Sequence, residues 1–496
     1  MIDISVPLTP GWWMARLSRK LIVRQRRLEA LDLYMKGEPP IGLGNQVMRD
    51  VWRDFCRKSR TNFAELVVEA PRERMGLQGF RTAAQSDDVG DGSAWAIWKA
   101  NCLDIEATRV HEWMLALGDA YVIVGLDANQ QPCITAEDPR LVITEHDPMH
   151  PQTVIAALKL FHDDVNDIDL AYLYLPGIVY TAGRQRRAAL NNASAPVSFS
   201  PTGWGWLDTS ASFDLIADAA IADLEDDDFD ALVGQALPDG AAGIVPVVPF
   251  ANKNHRGEFE GHIDLLDRIN HTILQRMVIS TFQAFRQRAI KGPLPDTDEA
   301  GKQIDYTKVF AADPGALWLI PEAVEMWESG QADLSGILSS ISDDVEHLAA
   351  VTRTPMHYLS PGDAAQSAEG ASLAKEGLIF KTNDRISRAS VGWTMVMYLA
   401  FLFSGDEVRA DLGTLEPIWN PTERYSLSDM ASASAQAVTA LPWESIMETV
   451  WQLSPEQLAR AKTQRSADMV VAQQMAALAA AAKPAPVVID EPPPDS

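Results

Sequence analysis

HIDLLDRINHTILQRMVISTFQAFRQRA (residues 262–289) and DLSGILSSISDDVEHLAAV (residues 333–351) decide how this chain is read. In the first, Leu266, Ile269, Ile273, Met277 and Phe285 fall near one face of a helix, roughly 40 Å long at 1.5 Å per residue. In the second, Leu334, Leu338, Ile341, Val345 and Leu348 form the matching stripe. Gly292-Pro293 stops the first helix and Pro355 the second. Between them, residues 293–332 are punctuated by Pro, Gly and Asp and contain the strand-like run Leu317-Trp318-Leu319-Ile320. Two antiparallel helices of about 30–40 Å cannot bury both stripes within one subunit, so packing against other chains is expected to complete the burial.

On the C-terminal side, PMHYLSPGDAAQS (355–367) reads as a loop. It leads into a long helix from about Glu369 to Phe403, in which Gly370, Gly377 and Gly392 offer places to bend. The most apolar stretch, Val391 to Ser404, is shorter than the roughly 20 residues a bilayer span needs, so a buried helix in a soluble protein is expected. After Asn420-Pro421 come helical segments rich in Ala, Ser, Gln and Met, and the Pro-rich, acidic PAPVVIDEPPPDS (484–496) is expected to be disordered.

On the N-terminal side, residues 16–36 form a basic amphipathic helix carrying Leu17, Leu21, Leu28 and Leu31. A second helix is expected over Gln46–Ser59, short strand or turn pieces at Asn62–Val68 and Gly79-Phe80, and one helix over Ala94–Leu117. Ala120–Leu126, a turn at Asn129-Gln130 and Cys133–Thr135 read as strand, turn, strand. Val154–Phe161 and Ala171–Thr181 continue an antiparallel sheet, residues 191–212 read as loop, and Pro238–Pro249 as an extended segment. The fold class is therefore α+β, predominantly helical.

The 496 residues carry 42 Lys+Arg against 68 Asp+Glu, a formal net charge of −26. Such acidity argues against gripping nucleic acid or an anionic membrane through a general basic surface. Three cysteines without C-x-x-C spacing exclude a disulfide scaffold and a Cys-rich zinc site, and fit a reducing compartment. The first fifteen residues lack the pattern of a secretory signal. No P-loop, H-E-x-x-H or G-x-S-x-G motif occurs, so no enzyme and no cofactor is expected. His347 lies alone on the second helix and reads as an interface- or channel-facing residue. The cluster Asp223, Glu225, Asp226, Asp227 and Asp228 could serve a Mg²⁺-dependent nuclease, but consecutive acids point in different directions along a helix, and a solvated acidic face is favoured. The basic run Arg16–Arg27 is read as meeting acidic surfaces of neighbouring subunits or a shell, with a DNA clamp as the alternative.

The order of these parts resembles the portal protein of tailed double-stranded DNA bacteriophages. Four stretches carry the resemblance: Leu33-Tyr34 through Gly37 with the following prolines and Asn62; Ile97-Trp98-Lys99-Ala100-Asn101 with Ala116–Val124; Ile244–Asn252 leading into the helix at 262; and Thr354-Pro355 through Ser367 with Gly370–Glu376. The likeness covers about residues 30–410 and weakens over 185–235 and at the C-terminus. One departure is Ser367-Ala368-Glu369-Gly370, where the family often places Ser-Gly.

The resemblance implies a closed ring, usually of twelve copies, at one capsid vertex. It divides the chain into a basic arm (1–29), a wing of mixed helix and sheet (30–255), stem helix 1 (256–289), a clip (290–332) and stem helix 2 (333–354). A tunnel loop (355–368), a bent wing helix with its return segment (369–424), a helical crown (425–483) and the tail (484–496) follow. His357, Tyr358 and Gln366 would approach DNA, with packed loop residues as the alternative. Trp318 and Trp327 would anchor the clip interface, or else form a small local core. Leu266, Ile273, Met277, Leu338, Ile341 and Val345 would pack the stem. Implied partners are the other subunits, DNA in transit, the terminase, head–tail adaptors, and the major capsid and scaffolding proteins, with no membrane; the place is the virion, and the host cytoplasm during assembly. Another minor head or adaptor protein is the alternative. Twelve copies at −26 would carry roughly −300, which suits a conduit that lets a duplex of one charge per about 1.7 Å slide without holding it.

Overall fold

The computed structural model describes residues 2–40, 49–84, 90–185, 197–208, 226–238, 240–241, 243–284, 288–293, 296–297, 301, 303–306, 325–328, 330, 333–360, 368–423 and 426–481. Helices and antiparallel sheets make an α+β fold, as expected.

Helix α1 (Pro10–Met35) starts earlier than its basic stripe suggested, because Thr9 caps it and Pro10 sits in its first turn. Helix α2 (Arg49–Ser59) follows. Residues 62–68, expected as strand or turn, instead open helix α3 (Phe63–Arg72). The reason is local: the Asn62 side chain accepts from the Glu65 amide and donates to the Glu65 carboxylate, a reciprocal cap that outweighs the strand preference of Val67 and Val68. Strand β1 (Leu77–Arg81) pairs with a distant strand, β13 below.

The single helix expected over 94–117 is two, α4 (Gly92–Ala100) and α5 (Leu103–Leu117), broken where Cys102 adopts φ +53. Asn101 stabilises that corner: its amide donates to the Pro132 carbonyl and its oxygen accepts from the Ile134 amide. Strands β2 (Asp119–Leu126) and β3 (Pro132–Glu137) form the expected hairpin. A meander then runs through β4 (Val142–His146), β5 (Val154–Asp163), β6 (Ile168–Leu175), β7 (Ile178–Gln185) and the two-residue β8 (Gly205–Trp206). Residues 171–181 are thus two strands, turned at Pro176-Gly177, where Gly177 has φ +82.

Helix α6 (Asp226–Val233), β9 (Gly234–Ala236) and β10 (Val247–Ala251) precede the paired helices α7 (Ile263–Ala284) and α8 (Ser335–Thr352). Between those lie the antiparallel strands β11 (Arg288–Lys291) and β12 (Glu325–Glu328). The short helix α9 (Met356–Leu359), the 36-residue α10 (Ala368–Phe403), β13 (Glu416–Trp419), α11 (Leu427–Ala437), α12 (Trp443–Thr449) and α13 (Pro455–Ala481) complete the chain.

Two cores result. In the larger, Ala120, Val122 and Val124 of β2 and Phe250 of β10 face α5 and α10. The alternate residues Tyr121 and Val247 turn to the other face, against Val142 and Ala157 of the meander, as period-two alternation requires. Helix α1 bridges both bodies. Trp13, Leu17 and Leu21 lie on the meander, while Leu28, Leu31 and Tyr34 enter the main core. Four of its basic residues are engaged within this chain, while Arg19 and Arg26 of the same run are exposed. Lys20 and Arg16 meet Glu145, Arg24 reaches Tyr121 and two backbone carbonyls, and Arg27 grips Glu260.

Trp393 of α10 lies at the middle of the main core, its ring centroid 4.9 Å from those of Trp98 and Phe250. Its indole N–H donates to His111 at 2.9 Å. Burial, with Arg72 adding to it, pushes the His111 pKa down to about 3, so the imidazole is a neutral acceptor. Among the described residues one helical stretch, Lys375–Phe403, is long and apolar enough to cross a membrane; half of its most apolar window is buried in this core.

Gly392 has a packing role that its place in the sequence did not show. A Cβ there would stand 2.4 Å from the Phe250 ring, so glycine permits close packing of helix on sheet. At Gly377 the nearest neighbour of a Cβ is 3.8 Å away. Gly392→Ala should therefore cost about 1–3 kcal/mol by overpacking. Gly377→Ala should stabilise by about 0.5–1 kcal/mol through helix propensity. Denaturant midpoints of the two variants check the contrast.

Candidate functional site

The paired helices and the ends of the chain that meet them form the candidate site. The chain leaves the body along α7, pairs β11 with β12, and returns along α8. Helix α7 ends at Ala284, short of the expected residue 289, because residues 288–291 extend into β11. Arg288 pairs with Glu328 and Lys291 with Glu325, and Trp327 on β12 is 58% exposed. Trp318, Leu317–Ile320 and Phe285 lie outside the described residues.

The body-proximal half of the pair is packed. Leu266 and Ile273 of α7 and Val345 of α8 are buried in the main core, and Met277 and Ile341 are half-buried against it. Further out the cover thins: Leu338 is 48% exposed. The helices are locked by a fork in which Arg268 donates from Nε to one oxygen of Asp344 at 3.0 Å and from a terminal nitrogen to the other at 2.6 Å. Asn270 accepts from the amide and hydroxyl of Thr61, and Tyr34 donates to Asp267, so α7 is also held to the segments before α3 and at the end of α1.

Where the pair joins the body, a buried ion cluster sits at the root. Glu258 accepts from Arg385 Nε at 2.6 Å and from Asn252 at 3.0 Å, with the Lys381 ammonium at 3.4 Å. Lys381 also donates to the carbonyl of Thr352, the last residue of α8, at 3.0 Å. One carboxylate thereby joins the start of the α7 segment, the end of α8 and the middle of α10. Burial acts to raise the Glu258 pKa, but Lys381, Arg385 and Asn252 together outweigh it and hold the group below its ordinary value. Burial lowers Lys381, against the pull of Glu258.

Sequence reading did not find this cluster. Its only signal was the i, i+4 spacing of Lys381 and Arg385 on an otherwise apolar helix, and no spacing links them to residue 258.

The segment expected as a loop from residue 355 begins with one helical turn, α9. His357 is exposed and its ring lies 4.8 Å from that of Tyr358, whose hydroxyl accepts from Arg74 at 3.4 Å. Leu359 is buried in the main core. Gln366 lies outside the described residues. His347 is exposed on α8. Of the acidic cluster, Asp226–Asp228 begin α6 and residues 223–225 lie outside the described residues. Among the described residues no three His, Cys, Asp or Glu stand together to hold a metal ion.

Replacing Glu258 by Gln leaves Lys381 buried without a counter-charge, while Arg385 keeps Asp384, and should cost about 3 kcal/mol at pH 7. A carboxylate with a depressed pKa contributes its stability above the unfolded value, about 4.3, and loses it as pH falls through the folded value. The gap between Glu258→Gln and wild type in urea unfolding should therefore narrow below about pH 4.

Comparison with known proteins places this arrangement. The profile of the family described as "Phage portal protein, SPP1 Gp6-like" matches residues 17–470. The portal protein of Mycobacterium phage L5 is 22% identical over 463 residues, covering 87% of this chain and 84% of that protein. The portal protein of Mycobacterium phage D29 is 22% identical over 398 residues, covering 76% and 72%. A solved chain from the "Neck of empty GTA particle computed with C6 symmetry" is 11% identical with a TM-score of 0.39, covering 83% of this chain and 95% of that one. With the family profile running from the first basic helix to the last long one, this chain belongs to the phage portal protein family.

Proposed function

We propose that the chain is one subunit of a ring, of twelve copies, set at a single capsid vertex as the channel for genome packaging and ejection. The observation that carries the reading is the α7/α8 pair: locked at its root, it leaves the body with apolar side chains still uncovered on α8, Leu338 and Val351 among them. Phe380 and Val391 of α10 are also exposed, and neighbouring subunits would cover them. Portal family proteins are structural components of the virion, and this chain's role is passage and docking, not catalysis.

In this reading residues 1–29 form the basic arm, and residues 30–255 with 369–424 the wing. Residues 256–289 and 333–354 form the stem, 290–332 the clip, 355–368 the tunnel loop, 425–483 the crown and 484–496 the tail. The clip, with Trp327 exposed on its β12 strand and Trp318 in the same segment, docks the terminase during packaging and head–tail adaptors afterwards. His357, Tyr358 and Gln366 are the side chains set nearest the DNA. Capsid and scaffolding proteins are met on the outside of the ring, and assembly takes place in the host cytoplasm.

The test is a deletion of residues 361–366, which spares the buried Leu359. The expected result is normal ring assembly and incorporation into heads, with loss of DNA packaging or retention scored by DNA content of purified heads. Loss of assembly with packaging unaffected in any heads that form would contradict the placement of the tunnel loop.

A further inference from the structure

Where α8 ends against α10, the surface opens into a cavity of ≈ 440 Å³. Five of its lining side chains are cations and two are carboxylates, an excess of three positive charges in a chain whose net charge is −26. The carboxylates are already engaged. Glu258 is held by Arg385 and Lys381, and Asp384 accepts from Arg385 and Arg388. The rim cations Lys253, Arg256 and Arg353 are exposed and have no ion-pair partner among the described residues. Arg256 feels Glu260, but that carboxylate is gripped through both oxygens by Arg27.

The chain departs from its usual conformational rules to build this rim. Arg353 closes α8 at φ +53, a position that glycine or asparagine ordinarily fills. Asn254 and His255 also hold positive φ, 58 and 54, beside Lys253 and Arg256. Arg353 stands close enough to Lys381 to oppose its charge, so the cluster carries cation–cation repulsion that a bound anion would relieve.

The geometry points to a phosphate-binding site: the cavity takes a phosphate group, free or as part of a phosphodiester backbone, on Lys253, Arg256 and Arg353. A single carboxylate would neutralise one charge of the three, whereas phosphate brings more charge and more acceptor oxygens. Two guanidinium forks and one ammonium, brought from two separate segments, suit it. The three rim cations belong to one subunit, so binding can be measured before ring closure, although Val351 and Phe380 of the same lining are among the side chains the proposed ring would cover.

The experiment titrates full-length protein with inorganic phosphate at constant ionic strength, followed by calorimetry and by the thermal unfolding midpoint. Saturable binding is expected, weakened by roughly tenfold or more in K253Q/R256Q/R353N and unchanged in the distant Arg109→Gln. Arg353→Asn alone, a residue tolerant of that backbone conformation, provides the same reading if the triple variant does not fold. A short DNA duplex is then added as competitor: displacement of phosphate assigns the site to a phosphodiester backbone, and no displacement to free phosphate. A response that never saturates, an equal response in wild type and variants, or tighter binding of poly-glutamate than of phosphate would overturn the assignment.

Discussion

One buried carboxylate holds the molecule's parts in relation. Glu258 is nearly inaccessible, and the groups it collects come from two places, Asn252 ahead of α7 and Lys381 with Arg385 on α10, with Lys381 passing the link on to a third, the last carbonyl of α8. A charge in such a place is stable only when paired and hydrogen-bonded, and the three partners together outweigh its desolvation. Both ends of the long hairpin formed by α7, β11, β12 and α8 are thereby rooted in the helix that also carries Trp393 into the main core. The Arg268–Asp344 fork then keeps the two helices in register further out. The hairpin can leave the body uncovered because its root does not depend on its tip.

What the sequence showed and what it hid follow from the range of the forces involved. The stripes on α7 and α8 were legible because a 3.6-residue period is a local signal that burial imposes on every turn. The β2–β3 hairpin was legible for the same reason, through alternation and a polar turn. Helix α3 was not: Val67 and Val68 argued for a strand, and the capping pair Asn62 and Glu65, which decides the matter, was the weaker-looking signal. The break at Cys102 depends on Asn101 reaching β3, some thirty residues away in sequence. The contact at Gly392 was hidden, since only the position of Phe250 reveals why a side chain is excluded there. The ion cluster was invisible because Glu258 lies more than a hundred residues from Lys381 and Arg385.

The charge distribution is likewise clearer in three dimensions. A net charge of −26 suggests a uniformly repulsive body, yet Arg16, Lys20, Arg24 and Arg27 of the basic helix α1 pair with carboxylates of their own chain. The cavity beside the end of α8 is lined by five cations and two carboxylates, a local positive excess within an acidic chain. An acidic wall with attraction confined to a few positions allows a polyanion to pass without being held, which is the property a packaging conduit requires.

The ring is the claim on which the functional account turns, and it is tested most directly by negative-stain imaging of the purified full-length protein, alone and with the scaffolding and capsid proteins of its own particle. The account predicts closed rings of uniform subunit number. A monodisperse monomer under every one of those conditions would contradict it.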